Sequence, residues 1–143
     1  MIRKFESNDL VQCATLFREA FSAEVLDCVW SQERAEAYLK DYVDNKKFVG
    51  FVSEENGTVN GALLGCVKVS WNNDEIYLDQ LFVAPEKQRF GIGQQLIEAL
   101  KEYSKSNKLA GIVLYTNEEV PAKLFYQKNG FQLSKGTICM YWV

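Results

Sequence analysis

The residues best suited to chemistry lie between positions 77 and 97, YLDQLFVAPEKQRFGIGQQLI. A basic, glycine-bearing loop, Gln88-Arg89-Phe90-Gly91-Ile92-Gly93, separates an apolar strand-like stretch from a run with helical periodicity. The first turn of a helix presents backbone N–H groups without intrahelical acceptors and carries roughly half a positive charge, so an anion seated there collects several hydrogen bonds at once. Gly91 and Gly93 omit the Cβ atoms that would hold a phosphate off those amides, and Lys87 and Arg89 add charge beside them. The chemistry is that of a pyrophosphate cradle.

Two familiar phosphate loops do not fit these residues. A mononucleotide P-loop needs Lys and Ser or Thr after its last glycine, whereas Gly93 is followed by Gln94 and Gln95. A dinucleotide fingerprint needs a third small residue where Leu96 stands and an acid closing the next strand, which instead runs into Thr116 and Asn117.

Other chemistry is sparse. The chain has no histidine, which removes Ser–His and Cys–His nucleophilic catalysis and the usual neutral-pH base. Cys13, Cys28, Cys66 and Cys139 form no Cys-x-x-Cys pair, so no metal centre is expected, and three of the four sit in apolar runs that predict buried free thiols. Acid–base work must fall to carboxylates, tyrosine or water. Glu75, Tyr77 and Asp79 share one face of their strand, because side chains alternate with period two.

The elements that must hold these groups can be read from periodicity. A short strand over 2–5 precedes Ser7-Asn8-Asp9, which has N-cap chemistry, and a helix whose stripe is Leu10, Cys13, Ala14, Phe17, Ala20 and Phe21. The pattern breaks over 22–30, and a second helix opens at Ser31 with Ala35, Tyr38, Leu39, Tyr42 and Val43 on its apolar side. Strands over 47–54 and 59–69 meet at Asn56-Gly57, a dipeptide suited to a tight hairpin. A strand over 75–83 leads to the loop, and the helix after it buries Ile92, Leu96, Ile97, Leu100 and Tyr103. The apolar run 111–115 predicts a strand covered on both faces, Pro121 opens a last helix closed by Asn129-Gly130, and a hairpin around Gly136 ends the chain.

With 143 residues, 48% of them hydrophobic, the chain fits one domain spanning 1–143. A net charge of −3 with dispersed Lys and Arg gives no expectation of nucleic-acid binding. No apolar run reaches membrane-spanning length and no signal peptide is apparent, so a cytoplasmic protein without a membrane partner is expected. The ending Ile138-Cys139-Met140-Tyr141-Trp142 fits either core or a homodimer interface.

Two motifs carry a resemblance. Gln88-x-x-Gly91-x-Gly93 follows Leu81-x-Val83, and the segment 122–131, AKLFYQKNGF, matches Ala-x-x-(Leu/Phe)-Tyr-x-x-x-Gly-Phe. Together with the order of elements over nearly the whole chain, they resemble the GCN5-related N-acetyltransferase (GNAT) family. The resemblance implies an α/β fold with a mixed, mostly antiparallel central sheet of about seven strands, helices on both faces, and a split between the strand carrying Asp79 and the strand ending at Tyr115. It implies acetyl-CoA as co-substrate, its pyrophosphate on the loop of Gln88, Arg89, Phe90, Gly91, Ile92, Gly93 and Gln94, and its pantetheine arm along the backbone of Phe82 and Val83.

By the same resemblance Tyr126 lies near the thioester sulfur as proton donor, while Asp79, or an ordered water, is the base for a primary amine of a small molecule or peptide. The family asparagine seven residues before the tyrosine is replaced by Glu119, and Asn117 is the candidate to make that cofactor contact instead. Glu24, Asp27 and Trp30 are candidates for the acceptor pocket. Transfer of a longer acyl group would need depth near Leu78 and Leu81. A coenzyme A-binding module without catalysis is the alternative, and it would have no use for Tyr126.

Overall fold

A computed structural model describes residues 1–24, 29–118 and 121–143; the Glu24 side chain, Asp27, Cys28 and Glu119 lie outside what it describes. Helix α1 (Leu10–Glu24) continues past the break expected at Ser22. Its entry is built by Asp9, whose Oδ2 accepts the Glu6 backbone N–H at 2.8 Å. The same carboxylate takes both ends of the Arg3 guanidinium, at 2.8 and 2.9 Å, and Arg3 also donates to Glu54 at 3.0 Å. This fork fastens strand β1 (Ile2–Lys4) to the start of α1 and to the end of β2 (Phe48–Glu55). Helix α2 (Gln32–Val43) begins where the sequence predicts, with the Ser31 hydroxyl accepting the Arg34 N–H at 3.1 Å.

Strands β2 and β3 (Thr58–Lys68) join through Asn56 and Gly57 at φ 52° and 78°, the double positive φ of a tight hairpin. β4 (Glu75–Val83) pairs antiparallel with β3, and β5 (Ile112–Leu114) pairs parallel with β4. The sheet order is β1-β2-β3-β4-β5, mixed and mostly antiparallel as expected. α1 and α2 cover one face around Phe17, Leu39, Val52, Leu64 and Phe82, and α3 (Ile92–Ser106) covers the other around Leu63, Ile76, Leu78, Ile97 and Leu100, joined there by Phe125 and Tyr126 of α4 (Ala122–Lys128).

Two expectations need correction. The sheet has five strands among the described residues, not about seven, because the hairpin around Gly136 does not form. Leu133, Ile138, Met140, Tyr141 and Trp142 are 67–95% exposed, so the apolar side chains that would drive strand pairing have no layer to pack on. For the same reason β5 is half-buried rather than covered on both faces. Of the cysteines, Cys13 and Cys66 are buried free thiols and Cys139 is exposed.

Candidate active site

β4 and β5 pair only where Ile76, Tyr77 and Leu78 face Ile112, Val113 and Leu114. Beyond Leu78 the strands part, and among the described residues the β4 edge that faced β5 has no strand partner through to Val83. Chain polarity then carries β4 through a 3₁₀ turn at Pro85–Lys87 into the glycine loop. Arg89 takes φ 69° and Gly91 φ 84°, the second as the N-cap of α3. Gln95 donates to the Gly91 carbonyl at 3.0 Å, which leaves the amides of Ile92, Gly93 and Gln94 as the first-turn donors without intrahelical acceptors.

These features line one cavity of about 560 Å³, to which Phe82, Val83, Gln88, Arg89, Gly91, Ile92, Gly93, Gln94 and Tyr126 all contribute. Phe90 does not; its ring is 74% exposed. Asn117, three residues past the end of β5, and Asp79 are not in the lining either. Residues that sequence reasoning passed over complete the wall: Ala20 and Phe21 from α1, Phe125 and Lys128 from α4, and Asn129 at its C-cap. Among the described lining residues, Lys87, Arg89 and Lys128 are cations and none is acidic. A cavity with one sign of charge and a helix start in its wall favours an anion.

The glycine pair divides its labour differently from the sequence reading. A Cβ on Gly91 would meet nothing within 4 Å, so Gly91 is required by its left-handed backbone. A Cβ on Gly93 would lie 3.0 Å from Phe125 Cζ, so the space Gly93 leaves empty is occupied by the protein's own ring. Gln88 likewise faces inward: its side-chain amide donates to the Val83 carbonyl at 3.3 Å and ties the loop back onto β4.

Asp79 sits at the head of the split. Leu64 faces Gln80 and Gly65 faces Leu78, so Asp79 is the extra residue of a β-bulge with no partner on β3. Gly65 makes the bulge possible, because a Cβ there would stand 2.6 Å from the Tyr77 carbonyl oxygen. Burial raises the Asp79 carboxyl above the ordinary carboxylate range, opposed by a hydrogen bond with Cys66 and by the Lys68 ammonium. Lys68 itself lies 4.3 Å from the centroid of the Tyr77 ring.

After the bulge, Gln80 donates to the hydroxyls of Tyr38 at 2.9 Å and Tyr42 at 3.4 Å, pinning α2 over β4. Burial foremost raises the Tyr38 phenol, with Tyr42 adding to it. Trp30, the acceptor-pocket candidate within the described residues, stacks on Tyr38 with centroids 4.9 Å apart. Sequence periodicity had assigned these tyrosines only to a core stripe.

Tyr126 projects from α4 between the rings of Phe125 and Phe131, at centroid distances of 5.2 and 5.6 Å. Burial pushes its phenol up to about 12, which keeps the hydroxyl protonated as a donor. The buried thiols are poor nucleophiles: desolvation lifts Cys13 to about 12 and raises Cys66 as well.

The family model for the acetyltransferase (GNAT) domain matches residues 44–133. An uncharacterized N-acetyltransferase of Bacillus subtilis, YhfO, is 30% identical over 142 residues, covering 96% of this chain and 93% of that protein. In three dimensions, a possible acetyltransferase from Clostridium difficile superposes with a TM-score of 0.85 at 20% identity, covering 100% of this chain and 97% of that one. The aminoglycoside N-acetyltransferase AAC(6')-Iy, solved in complex with CoA, superposes with a TM-score of 0.78 at 16% identity, covering 99% and 93%.

Proposed function

The chain belongs to the GNAT N-acetyltransferases, and from that premise we propose that it transfers an acetyl group from acetyl-CoA directly to a primary amine of a small molecule or peptide. The observation that carries the cofactor reading is the cavity between the unpaired edge of β4 and the start of α3, with its cations and its lack of acids. The residues present fit the group. The free amides of Ile92, Gly93 and Gln94, with Arg89 beside them, suit a pyrophosphate. The open edge at Phe82 and Val83 suits the pantetheine amides, as an added strand would. Bound there, acetyl-CoA supplies an activated acetyl thioester.

The protein's own groups then divide the proton work. Asp79, made more basic by burial, takes a proton from the incoming ammonium, directly or through water. Tyr126 holds its proton and gives it to the departing sulfur. Proton donation of this kind contributes roughly 100- to 10,000-fold in rate. The relatives that act on aminoglycosides make a polyamine-bearing small molecule a reasonable first acceptor to try.

The test is heat-unfolding with and without acetyl-CoA, followed by thiol release against a panel of amines. Cofactor at 100 times its dissociation constant should stabilise the fold by about 2.7 kcal/mol. No shift at millimolar acetyl-CoA would remove the cofactor reading. A shift with no thiol release from any amine, unchanged in Tyr126→Phe, would leave a coenzyme A-binding module without catalysis.

A further inference from the structure

Coenzyme A carries two anionic centres, the pyrophosphate and a 3′-phosphate on the adjoining ribose, and the α3 start with Arg89 accounts for only the first. We propose that Lys128 is the residue that reads the 3′-phosphate, so that this chain distinguishes coenzyme A from its dephospho form. The assignment rests on the acetyl-CoA reading above.

The argument proceeds by where each cation is held. Lys87 lines the cavity, but its ammonium is drawn to Glu55 at 3.3 Å. Arg89 belongs to the loop itself, two residues before the N-cap glycine. Lys101 stands nearby on α3, with its ammonium committed to the Asn129 carbonyl at 2.6 Å and to Glu98 at 3.2 Å. Lys128 is exposed, lines the cavity from the end of α4, and has no carboxylate partner among the described residues.

Packing fixes its distance from the loop. The Gly93–Phe125 contact brings α4 against the first turn of α3, and Lys128 follows one turn after Phe125. A ligand whose pyrophosphate occupied the α3 start would therefore have the end of α4 beside it. A lysine in the last turn of a helix also complements the helix dipole. That role would affect the stability of α4 but would not sort one coenzyme from another.

The experiment is calorimetric titration of coenzyme A and dephospho-coenzyme A into the wild type, Lys128→Gln and, as a control for net charge, Lys46→Gln, which alters an exposed turn. The wild type and Lys46→Gln should bind coenzyme A about tenfold more tightly than the dephospho form, the scale of one charge-assisted contact. Lys128→Gln should bring coenzyme A down to the dephospho level and leave dephospho-coenzyme A unchanged. Equal weakening of both ligands in Lys128→Gln, or a wild type that does not distinguish them, overturns the assignment while the cofactor reading stands. Failure of both ligands to bind the wild type removes the assignment and the cofactor reading together.

Discussion

The ring of Phe125 fills the space that a side chain on Gly93 would occupy, with Cζ 3.0 Å from the missing Cβ. Gly93 at the start of α3 is thereby also the packing contact between α3 and α4, which carries Tyr126. Gly93→Ala should lose about 1–2 kcal/mol of stability through overpacking and weaken acetyl-CoA binding by displacing the α4 wall. Because Phe125 is only half-buried and can yield, Phe125→Leu in the Gly93→Ala background should recover part of the stability. A double-mutant cycle of melting temperatures, at roughly 3 °C per kcal/mol for a chain of this size, measures the coupling.

Gly65 has less room to compromise, since its missing Cβ faces the Tyr77 carbonyl at 2.6 Å, a backbone atom. Gly65→Ala should cost about 3 kcal/mol, more than Gly93→Ala, and should reduce turnover further by shifting the bulge that holds Asp79. Urea midpoints for the two variants give the comparison.

Asp79 is held above the ordinary carboxylate range mainly by burial, so its ionisation opposes folding. A raised folded value means stability that is present at low pH and lost as pH rises through the titration of this carboxyl. Asp79→Asn should therefore raise the melting temperature at pH 7–8, with the gain vanishing in acid, while turnover falls about 100-fold or more and loses its acidic limb. A variant that is destabilised at neutral pH would show that the carboxylate is structural.

Tyr126→Phe removes the hydroxyl and keeps the ring between Phe125 and Phe131. kcat should drop about 100- to 10,000-fold with the dissociation constant for acetyl-CoA within a few-fold of wild type. The phenol, raised to about 12, should put no alkaline limb on the wild-type profile below pH ~10. Stopped-flow thiol release separates chemistry from binding.

The Arg3 guanidinium and the Glu6 amide hold the Asp9 carboxyl below its ordinary value. That stabilisation is complete above the unfolded value of about 3.9 and is lost as pH falls through the lower folded one. Asp9→Asn should cost about 2–3 kcal/mol at pH 7, with the difference from wild type disappearing as pH falls through the lowered folded value. Acid titrations followed by circular dichroism test it.

Much of this was legible in residue order. The limits of β4 follow from its composition between two turns, and the loop and Tyr126 follow from local motifs. What was not legible depends on cross-strand register or on contacts between distant elements. Gly65 sits in an apolar run with nothing to mark it until β4 is laid beside β3. Tyr38 and Tyr42 read as core positions, and only the fold brings Gln80 under their hydroxyls. Lys128 is an unmarked position within the motif 122–131, and only the fold sets it in the cavity wall. The seven-strand expectation failed because apolar runs over 131–135 and 137–142 around Gly136 suggest a hairpin without saying whether any layer is there to receive it.

The bulge at Asp79 also bears on how this sequence can change over time. Ile76 and Leu78 face the α3 core, whereas beyond the extra residue it is Leu81 that faces it and Phe82 that faces α1. Counted without position 79, Ile76, Leu78 and Leu81 alternate regularly, so deleting that one codon would leave the pairing of Gly65 with Leu78 and of Leu64 with Gln80, and every apolar face, in place, and would remove only the bulge and its carboxylate. A descendant of this chain could lose the whole residue and keep the sheet; what it would give up is the carboxylate.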